Sequence, residues 1–263
     1  MKFIQLLAAA LLLQGCSLGN EIVEGHSKPV HEKRSPVAAD NENKESVHDN
    51  LHPPEIFQLG TASELPKKMM LDVPLIKQNP ELKYGCEVTS LAMVLNYAGI
   101  KVDKMELSRA IRKDPDPLFK AGGKIIKWGD PSKGFVGDMT GKEPGYAVFD
   151  KPIVNLMNTY LPGRAVNLTN QEFSEVLAHI ASGFPAVIWT TGDFRLPDRW
   201  ESWLHGKRSI TTPLDLHAVV LVGFDSNKVY VNDPLSEKKQ LGIDREQFTA
   251  SWKALKSRAV SYK

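Results

Sequence analysis

The sequence predicts an α+β fold, a helical half followed by an antiparallel sheet. Three observations carry this. Apolar residues at three- and four-residue steps mark helices up to residue 182. Runs rich in Val, Ile and Thr mark strands from residue 185 onward. A hairpin signal, Asp225-Ser226-Asn227-Lys228, joins the last two of those runs. Helices first and hairpin-linked strands second is the α+β order.

The elements follow in chain order. MMLDVPLI (69–76) reads as a strand. In EVTSLAMVLNYAG (87–99) residues Val88, Leu91, Ala92, Leu95 and Ala98 share one helix face, and Gly99 is a stop. DKMELSRAIRK (103–113) gives a second helix, with Asp103 as cap and Glu106 at capping-box spacing. Residues 114–146 are rich in Pro and Gly without a steady period, which predicts a functional loop or lid. Helices are predicted at 149–160 and 170–182. Strands follow at 185–191, 216–224 and 228–233. DREQFTASWKAL (244–255) is a final helix capped by Asp244.

Composition bounds the function. Of 263 residues 42% are apolar and 24% charged, with a net charge of +2. The small basic excess and the lack of Lys/Arg runs argue against a nucleic-acid partner. Residues 1–16 combine Lys2, a short apolar run and Gly15-Cys16. That order is a secretory signal, too short to span a bilayer as a helix. Its Leu-x-Gly-Cys ending resembles the lipobox of bacterial lipoproteins, which implies lipid on Cys16 and a membrane as partner. The expected location is extracytoplasmic, anchored to the bacterial cell membrane. Residues 17–64 are polar, without helical or strand period, and predict a disordered tether. Four histidines lie there: His26, His31, His48 and His52. The last two have helical spacing, but Pro53-Pro54 follow and no ligand set is complete. Residues 65–263 are the folded domain.

The cysteine count then matters. The chain has two, Cys16 and Cys86. With Cys16 lipidated, Cys86 has no disulfide partner, and a leftover thiol outside the cytoplasm is buried or used. Cys86 opens the first long helix, where the dipole and free N–H groups favour a thiolate. A nucleophilic cysteine needs a base, and the base an orienter. Outside the tether only His179, His205 and His217 are available. His179 falls on a helix and His205 in a Trp-rich loop. His217 opens a strand, and Asp233, before Pro234, ends the next one. In this layout Cys86 attacks a carbonyl, His217 moves the proton and Asp233 holds the imidazole.

The motifs KQNPELKYGCEVTSLAMVLNYAG, HAVVLVGFD and VYVNDP resemble the bacteriocin-processing, double-glycine cysteine peptidases, a papain-like family. WGDPSKGFVGD and AVIWTT extend the likeness to stand-alone secreted relatives, over most of residues 69–255. The resemblance implies the papain-like cysteine peptidase fold, a peptide or protein substrate, and no cofactor. It also implies Cys86, His217 and Asp233 as catalytic residues, with Gln78 helping to form an oxyanion hole. Transporter-linked members clip leader peptides. This chain shows no apolar run long enough for such a segment, so that substrate is not implied. Glu87 stands where the processing peptidases carry a small residue, and an acid there opposes a thiolate unless its side chain points to solvent.

Register leaves an alternative open. A two-residue turn at Ser226-Asn227 pairs Val220 with Asp233, which puts Asn232 on the face of His217. A bulge or a longer turn restores Asp233. Asn232 is therefore the alternative orienter. Trp128, Phe135 and Trp189 are candidates for a substrate cleft, with core packing as the plainer reading. Asp114, Asp116, Asp130 and Asp138 match no calcium loop, so turn chemistry is expected and no metal. Two rival functions remain. One is a cell-wall amidase or endopeptidase of NlpC type, which would make the cell wall a partner. The other is an inactive surface-tethered binding protein on the same fold.

Overall fold

A computed structural model describes residues 65–263. The signal, lipobox and tether, with Cys16 and the four tether histidines, lie outside the described residues.

The helical half comprises α1 (Cys86–Tyr97), α2 (Lys104–Ala110), α3 (Asp150–Tyr160) and α4 (Phe173–Ala181), with α5 (Arg245–Ala254) near the C-terminus. The strands are β1 (Met69–Met70), β2 (Lys113–Asp114), β3 (Phe119–Ala121), β4 (Lys124–Lys127), β5 (Phe135–Val136), β6 (Ala165–Asn167), β7 (Ala186–Thr191), β8 (Trp200–His205), β9 (Arg208–Pro213), β10 (Leu216–Phe224), β11 (Lys228–Asp233), β12 (Lys238–Asp244) and β13 (Ala259–Tyr262). The main sheet has seven strands in the order β12-β11-β10-β7-β13-β6, with β1 on the far end of β10; all its pairs are antiparallel.

The α1 helix is buried from Cys86 through Leu95 and packs on β10 and β7. Val88, Leu91, Val94 and Leu95 are wholly inaccessible. Truncating Leu91 to Ala would cost about 2–5 kcal/mol, since the packed sheet can close only part of the void. The predicted caps form: Asp103 accepts from Glu106 N and Asp244 from Gln247 N. Each pairs a donor that the helix itself leaves free.

Three expectations change. The first strand shrinks to two residues, because the chain leaves the sheet edge beyond Leu71, whose N–H donates to Val222 O. The predicted loop or lid at 114–146 instead contributes β2 to β5. β3 and β4 join β8 and β9 in a second, four-stranded sheet, and β2 pairs β5 in parallel. That sheet covers a small core of its own, in which Trp128, Val136, Trp203 and Ile210 pack with Tyr146. Its short strands lack the alternation that marks a strand in sequence.

The cleft aromatics are the third correction. Phe135 and Trp189 are fully buried in the main core, and Trp189 Nε1 donates to Val148 O. Trp128 is 5% exposed and belongs to the second core. Phe135 and Trp189 are spent on core packing, while Trp128 also borders a hollow of about 480 Å³ with Pro117 and Pro144 that does not include Cys86; burying large apolar surface is the stronger demand.

Candidate active site

Residues 78–85 set the position of Cys86. Leu82 N donates to Gln78 O and Gly85 N to Leu82 O, so the segment turns tightly onto the start of α1. A Cβ on Gly85 would stand 2.5 Å from Leu82 Cβ, so only glycine admits this approach. One turn into the helix, Ser90 Oγ donates to Ala218 O at 3.2 Å. Ala218 follows His217 in β10. The front of α1 is thereby held against the strand that carries His217.

The register question is resolved by a bulge. Val220 pairs with Asn232 and Leu221 with Val231, but Gly223 pairs with Tyr230, leaving Val222 as the extra residue. Asp233 therefore falls on the face of His217. The His217 Nε2 to Asp233 Oδ1 distance is 2.7 Å, with both side chains buried. A carboxylate only accepts, so Nε2 carries the proton and Nδ1 is left with a lone pair. Gly223 permits the crossing of β1, whose Met69 O would lie 2.5 Å from an added Cβ.

Asn232 points the other way. Its Nδ2 donates to Val73 O at 2.9 Å and its Oδ1 accepts from Gln240 N at 2.9 Å. The alternative orienter is thus corrected: Asn232 ties down the chain after β1, because the bulge turns it from the histidine.

Asp233 sits in a donor-rich turn. Oδ1 also accepts from Leu235 N at 2.9 Å, and Oδ2 accepts from Ser236 Oγ. Burial pushes its carboxyl up, but His217, Ser236 and Leu235 outweigh that and hold it down at about 2. Ser236 was not singled out in the sequence. Asp233-Pro234-Leu235-Ser236 nevertheless carries the Asp-turn spacing that brings such donors back.

The cysteine side departs from expectation. Glu87 is inaccessible and points inward, not to solvent. Its Oε1 accepts from Val148 N at 2.9 Å, and its Oε2 accepts from the Cys86 thiol at 3.4 Å. Burial pushes the Glu87 carboxyl up to about 7. Burial first, and the Glu87 carboxylate second, push the Cys86 thiol well above its usual value, while the Ala218 N–H acts in the opposite sense. The expected pull of the helix end toward a thiolate is overridden here, because Cys86 is only 7% exposed and its neighbour is an acid.

Gln78 is buried between the two halves. Its backbone N–H donates to Pro234 O at 3.0 Å, beside Asp233. Its Nε2 donates to Lys83 O at 3.1 Å, and its Oε1 is buried without a partner among the described residues. The other two histidines among the described residues lie elsewhere. His179 bonds Ser261 and Tyr262 O. His205 ends strand β8, where a loop was expected, and faces Asp114 and Asp116. A cavity of about 780 Å³ lined by Phe173, Asp244 and Glu246 includes none of the three reactive candidates.

A buried helix opening on cysteine, set against an antiparallel sheet with a histidine and an aspartate on adjoining strands, is the papain-like cysteine peptidase fold. The chain belongs to the Peptidase_C39 like family, whose profile matches residues 70–260. It is 39% identical over 192 residues to YvpB of Bacillus subtilis (strain 168), described as an uncharacterized protein. That match covers 72% of this chain and 74% of YvpB. It is 40% identical to a putative C39-like peptidase of Bacillus anthracis in a crystal structure, with a TM-score of 0.69. There the match covers 75% of this chain and 98% of the other. Membership suggests cysteine peptidase activity.

Proposed function

We propose that this chain is a surface-anchored cysteine peptidase of the stand-alone lipoprotein branch, hydrolysing peptide bonds through Cys86, His217 and Asp233. The carrying observation is the 2.7 Å His217–Asp233 pair, with His217 on the strand to which Ser90 ties the front of the Cys86 helix. In this reading Cys86 gives its proton to His217 Nδ1 and attacks the substrate carbonyl carbon. The charge on the oxygen meets the Cys86 N–H at the free helix end and the Gln78 amide. His217 then protonates the leaving amine, and water, deprotonated by the same imidazole, cleaves the thioester. Asp233 holds the tautomer throughout. Lipid on Cys16 would keep the domain at the outer face of the membrane. The test is digestion of a peptide library with Cys86→Ala as blank. Cysteine-dependent cleavage supports the reading, and identical digests overturn it.

A second reading has one observation behind it. Cys86 is only 7% exposed and its thiol donates to Glu87 Oε2 at 3.4 Å, as suits a binding protein that retains the fold without the chemistry. Iodoacetamide labelling against pH separates the two: a depressed apparent pKa of Cys86 favours the peptidase, and a thiol that stays sluggish up to pH 9 favours binding.

A further inference from the structure

Among the described residues, one cluster outside the candidate active site brings metal-ligating atoms together from distant parts of the chain. Asp114 ends β2 and Asp116 lies two residues on, while His205 ends β8 in the second sheet. His205 Nε2 lies 3.1 Å from Asp114 Oδ2 and 3.2 Å from Asp116 Oδ2, and the three donor atoms lie within 4.8 Å of one another. We propose that these three side chains form a site for a divalent transition metal of the zinc type, linking the second sheet to the β2–β5 pair.

The argument is one of stoichiometry and spacing. An imidazole nitrogen carries at most one proton, yet two carboxylate oxygens converge on this one. Asp114 Oδ1 is already occupied by Asp116 N at 3.1 Å. Its Oδ2 therefore faces the imidazole and the second acid. The Asp114 side chain is 4% exposed and that of His205 12%. Two carboxylate oxygens within 4.8 Å of each other, one of them buried, repel unless positive charge stands between them, and a metal ion or an imidazolium can supply it. Zinc holds nitrogen and carboxylate oxygen at about 2.0–2.2 Å. Two ligands of one such ion are then separated by roughly 3.0–3.4 Å, for octahedral to tetrahedral angles. The two nitrogen-to-oxygen separations, 3.1 and 3.2 Å, fall within that range, and the two oxygens lie within 4.8 Å of each other. An imidazole with two carboxylates is also a donor set suited to Zn²⁺ or Mn²⁺ more than to Ca²⁺, which prefers oxygen alone.

The surroundings decide access and strength. The cluster opens onto a hollow of about 250 Å³ lined also by Arg112, Lys113 and Lys133. Water can complete the coordination from that side. The basic side chains lower the affinity for a cation relative to a closed four-ligand site, so tight structural binding is not the expectation. Asp130 and Asp138 take no part. Asp130 accepts from Ser132 and Arg208, and Asp138 from the N–H groups of Thr140, Lys142 and Glu143. Turn chemistry accounts for those two acids, as the sequence indicated. Sequence spacing does not group His205 with Asp114 and Asp116, because it lies 89 positions beyond Asp116.

The test is calorimetric titration of Zn²⁺ into the full chain after stripping with chelator, beside His205→Ala and Asp116→Asn. The tether histidines can also bind zinc, so the readout is the difference between chains. Wild type should show one more saturable equivalent than either variant, or an affinity for it at least tenfold tighter. Zn²⁺ should also raise its melting temperature more than theirs. Equal binding and equal shifts in all three chains overturn the proposal, as does the absence of saturable binding in wild type. That result would leave an ion-paired histidine only. Asp116 is half-exposed, so Asp116→Asn decides the matter should His205→Ala fail to fold. The outcome is independent of peptidase activity, since none of the three residues belongs to the proposed catalytic set.

Discussion

Two buried acids flank the candidate active site, one on each side, and they differ in what donates to them. Asp233 ends a strand and accepts from an imidazole, a hydroxyl and a backbone N–H. Glu87 lies in the first turn of α1 and accepts from one backbone N–H and a thiol. Both lose hydration. Asp233 is nevertheless held at about 2 and Glu87 is pushed up to about 7. Burial alone does not fix the charge of an acid; the number and strength of its donors do. The consequence is functional. The sheet side keeps an anion beside His217, which in the proposed mechanism orients the base, and the helix side keeps an acid that changes charge near neutrality.

The strongest way to break this contrast is to remove the sheet-side anion. Asp233→Ala leaves the Nε2–H of His217 without an acceptor, so neither the tautomer nor the orientation of the ring is held. A drop in kcat of about 10³–10⁴-fold is expected, by analogy with other catalytic triads. Peptide hydrolysis, with circular dichroism to verify the fold, measures it. An unchanged kcat would remove Asp233 from the mechanism.

The two acids should also pull stability in opposite directions with pH. Glu87 has a folded value above its ordinary 4.5. The folded chain thus binds more protons than the unfolded one between pH 4.5 and 7. Its contribution is fully present below 4.5 and declines by about 3 kcal/mol as pH rises through 7. Asp233 is depressed from 3.8 to about 2. Its contribution is present above pH 3.8 and is lost, about 2 kcal/mol in all, as pH falls through 2. Urea unfolding across pH checks both. Glu87→Gln should flatten the slope between pH 4.5 and 7 and leave the acid limb intact.

Much of this architecture was legible beforehand, for a physical reason. The α1, α3, α4 and α5 helices and strands β7, β10 and β11 are long enough for periodicity to show. The β8–β9 hairpin was not seen, because Trp200–Pro213 alternates polar and apolar residues only weakly. For the site, the sequence placed His217 and Asp233 on neighbouring strands, but a single extra residue at Val222 decided between Asp233 and Asn232. Such bulges have no marker in the pattern of side chains beyond the nearby Gly223. The inward turn of Glu87 was hidden too. It lies beside Val88 on a helix whose first ten residues are all buried, so helical amphipathicity gave it no polar face.

A smaller and sharper effect concerns the thiol itself. Above pH 7 Glu87 is anionic and opposes a Cys86 thiolate, so Glu87→Gln removes that repulsion while keeping a side chain of the same length. Burial still raises the thiol in the variant, because burial is the larger cause. The gain is therefore partial: alkylation by iodoacetamide at pH 8–9 should speed up about tenfold, the equivalent of one pKa unit. Below pH 6, where Glu87 is neutral in the wild type, the two chains should react at closely similar rates. A constant ratio of rates across pH would show that the Gln variant acts by repacking rather than by charge. The helix-side acid would then be a structural neighbour of Cys86, and the contrast with Asp233 would reduce to hydrogen-bond count alone.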